Sequence, residues 1–394
     1  MVSDKKIAFL INSLTNGGAE RVLSTIVSSL KKEGHQVELI CLEKDDFYSV
    51  DDSVKVTYLT QNNGKENFIK KFIMLLVLGY RLKKYIQKNN IEIVQSHLFR
   101  ANYVNVFAKF FGSKHQVQLV SAVSALAKYG GSGISSKINL FLIYSLYKYA
   151  DLLIFKANAM RGEYLKFFNL ETKSIIINNP IDIENINLLK NDDKEVVFKL
   201  FDKEKKYIVS MGRFHKDKRQ IDLIEAFRII EKKYNDLEIL FLGDGEQRAN
   251  LEELVREYKL SNKIHFLGSV KNPFYYLNNS YMYISTSISE GFPNALLEAM
   301  CCGLPVISTD CKTGPREILD PNYDIQKGYL KRDLEIVEYG ILIPENNLSK
   351  IKEAIEFYLE NNTYNSFKIK VHQRVVEFSK DKIIEKYKKV LEIE

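Results

Sequence analysis

The sequence predicts an α/β protein of two doubly wound domains facing across a cleft. Three observations carry the prediction. Apolar runs of strand length alternate with amphipathic helical patterns, and this rhythm occurs twice. It breaks at Asn178–Ile183 (NNPIDI), which holds the only proline before residue 273. The 394 residues are enough for two cores of ordinary size.

The first rhythm opens with Lys6–Asn12 (KIAFLIN), a buried strand, and the loop Ser13–Gly18. A helix follows with Ala19, Val22, Leu23, Ile26, Val27 and Leu30 on one face, ended by Gly34. Strand patterns recur near 36–42, 55–59, 92–96, 117–121, 151–155 and 173–177, with helical patterns between most of them. That succession predicts a parallel sheet. The second rhythm places strands at 206–211, 237–242, 264–267, 281–286, 305–309 and 340–343. Its helices fall around 220–234, 246–259, 293–302 and 348–360. The domains are therefore expected at 1–180 and 181–378. Periodicity assigns the last helix, about 379–391, to neither. Ligands of such sheets sit at the C-terminal ends of the strands.

Three loops of the second half each follow a predicted strand and so meet at one sheet edge. Gly212–Arg219 (GRFHKDKR) presents Arg213, Lys216, Lys218 and Arg219, cations able to bind a diphosphate; a solvated basic loop explains them equally. Gly243-Asp244-Gly245 permits close backbone approach, as would a plain tight turn. The third loop, Ser285–Gly303 (STSISEGFPNALLEAMCCG), carries most information. Pro293 suits a first helical turn and Gly303 a stop. Glu290 then precedes the helix, and Glu298 points back toward its start. Two nearby carboxylates suit a polyhydroxy ligand, and amides at a helix start can hold an anion. The plainer alternative makes Glu290 a helix-end residue and Glu298 a surface glutamate.

At these residues the chain resembles the retaining glycosyltransferases of the GT-B fold, family four, with two Rossmann-like domains. The resemblance covers nearly the whole chain. It is carried by SEGFPNALLEAMCCGLPVISTD with Glu290 and Glu298, by Gly212-Arg213 followed by Lys218, and by Asn16-Gly17-Gly18-Ala19-Glu20-Arg21. It implies that 181–378 binds a nucleotide-sugar donor and 1–180 the acceptor, with the helix in 379–394 packing back on the first domain. Arg213 and Lys218 would neutralise the diphosphate, and Glu290 would bind the donor sugar with the amides of Gly291, Phe292 and Asn294. Glu298 would take the ribose, and the base would lie near His265, Phe266 and Leu267. Gly17 and Gly18 would let the first helix approach the diphosphate and acceptor. One departure stands out. Many relatives carry a histidine after the first domain's fifth strand, where this chain reads Val120-Ser121-Ala122-Val123-Ser124. His97 is the nearest polar candidate, or else a structural histidine capping the turn before Asn102. No metal or other cofactor is expected; the nucleotide sugar is a substrate.

The net charge of +7 is uneven: 24 Lys/Arg against 16 Asp/Glu through residue 188, and 33 against 34 beyond it. Residues 62–88 carry seven Lys/Arg around FIMLLVLGY against one acid, Glu66. That apolar run is too short to span a bilayer, which needs roughly 20 residues, but fits a helix lying on an anionic membrane surface. An ordinary domain helix with a basic outer face fits as well, and is the preferred reading for 138–149. Aliphatic residues interrupt the basic ones, so nucleic acid is a poor fit as a partner. The four cysteines show no zinc or redox spacing, and the N-terminus shows no signal peptide. A cytoplasmic location, peripheral on the inner face of the membrane through 66–88, is expected.

The expected activity is transfer of a hexose or N-acetylhexosamine from a UDP-sugar to a lipid-carried glycan, with retention, in cell-surface polysaccharide assembly. The rivals are a nucleotide-sugar epimerase of the same fold and a non-catalytic sugar-nucleotide-binding subunit. A dinucleotide oxidoreductase is disfavoured, because the three-glycine fingerprint is absent.

Overall fold

The structure, a computed structural model, describes all residues except 1–4, 16, 46–49, 62–67, 195–201, 203, 325–327 and 362–363, and leaves out the side chains of 68–71. The chain forms two compact units, one of Met1–Pro180 with Lys380–Glu394 and one of Ile181–Ser379.

Unit 1 begins with β1 (Ile7–Ile11), α1 (Gly18–Lys32), β2 (Val37–Cys41) and β3 (Val56–Tyr58). Next come α2 (Phe68–Asn89), β4 (Ile93–His97), α3 (Phe99–Phe110) and β5 (Gln116–Ser121). Then follow α4 (Ala125–Tyr129), α5 (Ile134–Leu146), β6 (Leu152–Phe155), α6 (Asn158–Phe167) and β7 (Ser174–Ile176). The seven strands make one parallel sheet in the order β3-β2-β1-β4-β5-β6-β7. β1 and β4 are buried at every residue; β1 is apolar throughout, as cover on both faces favours, while β4 buries Gln95, Ser96 and His97 with hydrogen-bond partners.

Unit 2 contains α7 (Ile183–Leu189), β8 (Lys206–Met211), α8 (Gln220–Ile230), β9 (Leu237–Leu242) and α9 (Arg248–Glu257). It continues with β10 (Ile264–Gly268), α10 (Pro273–Asn278), β11 (Met282–Ser285), α11 (Asn294–Cys301) and β12 (Val306–Thr309). It closes with α12 (Pro315–Leu319), β13 (Glu335–Val337), β14 (Gly340–Ile343), α13 (Leu348–Glu360) and α14 (Tyr364–Val375). Its sheet order is β10-β9-β8-β11-β12-β14-β13, the arrangement of unit 1 repeated, except that β13 runs antiparallel at the edge. That edge strand, α12 and α14 are additions to the pattern expected from sequence. In each sheet the order reverses beside the first strand, between β1 and β4 and between β8 and β11. Loops leaving the two neighbouring strands diverge there and open a crevice.

The last helix, α15 (Lys380–Leu391), belongs to unit 1. Its Ile383, Ile384, Tyr387 and Leu391 share a core with Val22, Leu23, Ile26, Val27 and Leu30 of α1. Two buried polar contacts add to the packing. Gln118 Nε2 donates to the Val390 carbonyl at 2.6 Å, and Lys156 Nζ to Tyr387 Oη at 2.6 Å. Among the described residues no helix is long and apolar enough to cross a membrane.

Candidate active site

The reversal point of the second sheet is lined by the loops after β8 and β11. The loop after β8 turns at Gly212, whose amide donates to the Leu242 carbonyl. It then tightens through a short 3-10 turn at Lys216–Lys218, with His215 accepting from the Asp217 amide. Arg219 sits at φ 50°, a left-handed conformation, and its guanidinium forks onto Asp222 at 3.0 and 2.6 Å. That pairing accounts for Arg219 as a helix-start residue and separates it from the other cations of the loop.

The loop after β11 is stitched to this one. Thr286 Oγ1 donates to the carbonyls of Lys218 and Arg219 at 3.0 and 2.8 Å, and the Ile288 amide donates to Asp217. The stitching aligns two side chains across the reversal point. Lys218 Nζ lies 2.6 Å from Glu290 Oε1, with the carboxylate side chain only 12% exposed. A third loop, after β12, holds Glu290 from behind, the Thr313 hydroxyl donating to the Glu290 carbonyl. This close seating needs Gly314, at φ 88°, since a Cβ there would fall 2.6 Å from the Gly291 carbonyl oxygen. Sequence reasoning passed over Thr313 and Gly314. The Thr-Gly-Pro run before α12 is the signal that marks them.

Glu298 is buried within α11. The helix starts at Asn294, with Pro293 as its N-cap. Gly291 and Phe292 thus lie before the helix and Asn294 at its first turn. The charges of Glu290 and Glu298 together raise the Tyr283 hydroxyl, after the larger effect of its own burial. Both carboxylates therefore act on one buried phenol, on the strand from which their loop departs.

Arg213 is not drawn into this pair. Its side chain is 72% exposed and reaches Glu246 at 3.5 Å. The Gly243–Gly245 turn has a packing explanation. A Cβ at Gly243 would fall 2.0 Å from the Gly212 oxygen, and one at Gly245 2.4 Å from that of Phe214. The glycines admit the loop after β8, which packs directly on this turn. His265 lies inside β10 and is engaged by Glu238 on the adjacent strand, Nε2 to Oε2 2.9 Å. Phe266 stacks on Phe241 at 5.3 Å between ring centroids. Leu267 follows, and the strand's C-terminal residue is Gly268, whose carbonyl accepts from Gly243. The side chains of His265 and Phe266 are thus committed to packing, and Gly268 is the residue at the C-terminal edge of the strand.

In unit 1 Gly17 is the N-cap of α1 and Gly18 its first residue. Asn16 lies outside the described residues. Glu20 folds back over the helix start, so that a Cβ on Gly17 would fall 2.2 Å from Glu20 Oε2. Burial raises the Glu20 carboxyl, and the Thr15 hydroxyl donates to it at 3.2 Å. His97 ends β4 and is 2% exposed. Its Nε2 meets Gln95 Oε1 at 3.2 Å, and burial, then the charge of Lys156, holds its imidazole well below the usual range. It does not cap the turn at Asn102, which bonds instead to Ser96, the Val120 carbonyl and Tyr147. Lys156, unremarked in the sequence, is the second base of this buried group.

Comparison with known proteins agrees with this architecture. Residues 191–381 match the family described as Glycosyl transferases group 1, and residues 16–185 match Glycosyltransferase Family 4. The chain is 29% identical over 383 residues to the N-acetylgalactosamine-N,N'-diacetylbacillosaminyl-diphospho-undecaprenol 4-alpha-N-acetylgalactosaminyltransferase of Campylobacter jejuni, covering 96% of this chain and 97% of that one. It is 26% identical to the amylovoran biosynthesis glycosyltransferase AmsD of Erwinia amylovora, covering 88% and 92% of the two chains. Among solved structures, Anabaena Alr3699/HepE in complex with UDP-glucose superposes with a TM-score of 0.74 at 17% identity, over 98% of this chain and 99% of that one.

Proposed function

The chain belongs to the group 1 glycosyl transferases and has their GT-B fold, and from that premise we propose that it transfers a hexose or N-acetylhexosamine from a UDP-sugar, with retention, to a polyprenyl-diphosphate-linked glycan. The observation that carries the donor half is the Lys218–Glu290 pair at the reversal point of the second sheet. An ammonium and a carboxylate in contact there serve the two ends of a sugar diphosphate. Lys218 would turn to the diphosphate and stabilise the charge that builds on the leaving group. Glu290 would accept from sugar hydroxyls, and Glu298 from the ribose. Arg213, mobile enough at its exposure to swing inward, would add a second cation.

The departing diphosphate would take the acceptor's proton, so the protein contributes positioning and charge stabilisation. The acceptor half rests on the relatives. The Campylobacter jejuni protein is named for an undecaprenol-diphosphate-linked acceptor, and AmsD for amylovoran biosynthesis. Unit 1 would hold that acceptor, which places the enzyme's work at the face of a bilayer in cell-surface polysaccharide assembly.

The test is a panel of UDP-sugars monitored for UDP release, with and without a membrane extract supplying acceptor. One donor should give release that the extract accelerates, with a new glycolipid as product. Release of no nucleotide with any donor, while one still binds, would leave a silent sugar-nucleotide binder. Interconversion of epimeric donors without release would identify an epimerase.

A further inference from the structure

The outer surface of unit 1 is built for something other than water. Helix α2 is apolar on two faces. Leu75, Leu78, Leu82 and Ile86 are buried on one face, as an amphipathic helix requires. On the outward side Ile73, Val77 and Tyr80 are 54%, 39% and 45% exposed, at the spacing of a single stripe. The stripe continues across helices. Tyr80 meets Phe111 edge-on at 6.0 Å, and the adjoining Phe110 meets Tyr149 at 4.8 Å. Phe110, Phe111 and Tyr149 are themselves 49%, 37% and 46% exposed. Large apolar side chains that stand out singly are ordinary, whereas a connected aromatic chain on a surface marks an interaction site.

The charge around this stripe identifies the partner. Lys83 and Lys84 stand over the Tyr80 ring at 5.6 and 4.8 Å, and Lys148 stands by Tyr149 at 5.4 Å. From residue 68 to residue 149 the sequence holds 12 Lys/Arg and one acid, Glu92. That stretch alone exceeds the whole chain's net charge of +7. A protein partner complementary to it would be acidic and apolar together. An anionic bilayer presents both properties, phosphate at the surface and hydrocarbon just beneath.

We propose that the aromatic stripe of α2, the end of α3 and Tyr149, rimmed by Lys83, Lys84 and Lys148, docks unit 1 onto an anionic lipid surface. The expectation placed on 66–88 alone is thereby extended. Residues 66 and 67 lie outside the described residues, and the apolar contact is shared with α3 and the segment after α5. The outer face of α5 also exposes Phe141 and Tyr144, at 65% and 54%, where a basic face was expected. The lipid carrier proposed above gives this contact its use, but its geometry stands without that reading.

The experiment is flotation of the whole chain with phosphatidylcholine vesicles carrying about one-third phosphatidylglycerol, at low salt. The wild type should float with these vesicles, and less with phosphatidylcholine alone or at high salt. The variant Ile73→Ser/Tyr80→Ser/Phe111→Ser should lose about tenfold or more in partition, with unchanged circular dichroism, because the altered side chains are already partly in water. Lys83→Glu/Lys84→Glu should lose flotation and its salt dependence together. Transfer to a water-soluble, short-chain acceptor should persist in both variants. A wild type that stays in solution, or an apolar variant that floats as well as wild type, overturns the proposal. A dimer that the apolar substitutions dissociate, with no flotation, does so too and makes the stripe a self-association surface. Failure of transfer with every acceptor, alongside normal flotation, would count against the proposed function and leave the docking face standing.

Discussion

Replacing Lys156 by Met should remove a pH dependence of folding that the wild type carries. Lys156 is 1% exposed, and its ammonium has Tyr387 Oη as a partner at 2.6 Å and the Tyr387 ring at 5.3 Å. Burial lowers it from 10.5 to about 7. Between those values the unfolded chain binds a proton that the folded chain releases, so stability rises with pH. Below about 7 both states are charged, and the dependence ends. Each pH unit inside the window is worth ~1.4 kcal/mol, and from pH 7 to pH 9 the gain is about 2 kcal/mol, slightly reduced because the group is half protonated at the lower pH. His97, the neighbouring base, is depressed from 6.5 and acts only below this range. The assay is urea unfolding of both proteins at pH 7 and pH 9, followed by a probe in unit 1. The wild type should gain about 2 kcal/mol more than Lys156→Met between the two. Parallel behaviour of the two proteins would refute the reasoning, because it would mean that Lys156 is charged in the folded state at both pH values.

Three further outcomes are expected. Lys218→Ala and Glu290→Gln should each lower turnover by about a hundredfold to a thousandfold, the scale on which loss of one charge-stabilising group acts, with small changes in melting temperature; steady-state UDP release checks the first and calorimetry the second. Arg213→Ala, at an exposed position, should leave stability unchanged and lower turnover only if the side chain swings to the diphosphate. Gly243→Ala should destabilise unit 2 by about 1–3 kcal/mol, measured by chemical denaturation, because the added Cβ meets the Gly212 oxygen at 2.0 Å and one loop must shift.

The strands were legible because parallel strands covered on both faces run largely apolar: β1 is IAFLI throughout, and β9 is LEILFL, broken only by Glu238. The same logic hides β13. Three residues at an antiparallel edge, one of them exposed, leave no apolar run. α14 was missed because its buried residues Phe367, Val371, Arg374 and Val375 include an arginine, which hydropathy assigns to water. That guanidinium is satisfied by the carbonyls of Glu317 and Ile318. At the candidate site the residue types were legible and the pairings were not. Lys218 and Glu290 are 72 positions apart, and their contact depends on Thr286 bonding to a carbonyl on the other loop. His265 shows the same limit. Its partner Glu238 lies 27 positions away and is brought to it by the pairing of β9 with β10.

The Lys218–Glu290 contact also explains how a cationic loop can wait in a half-buried site. A lone ammonium there would be only partly solvated and without a partner, and an unpaired charge is costly to hold away from water. Glu290 supplies the partner, so the loop is ordered before any ligand arrives. A diphosphate offers Lys218 more negative charge than one carboxylate does, and the lysine's flexible stem lets it change partner without moving the backbone. Glu290, released from that pair, would become an acceptor for hydroxyls, held by Thr313 through its own carbonyl. On this view the exchange is one event: binding of the diphosphate frees the carboxylate that reads the sugar. Lys218→Ala should therefore weaken recognition of the sugar's hydroxyls as well as binding of the diphosphate. UDP and the UDP-sugar should then bind the variant with similar affinity, where the wild type prefers the sugar nucleotide. Isothermal titration of both ligands against both proteins measures this, and a preference unchanged by the substitution would show that the two groups act separately.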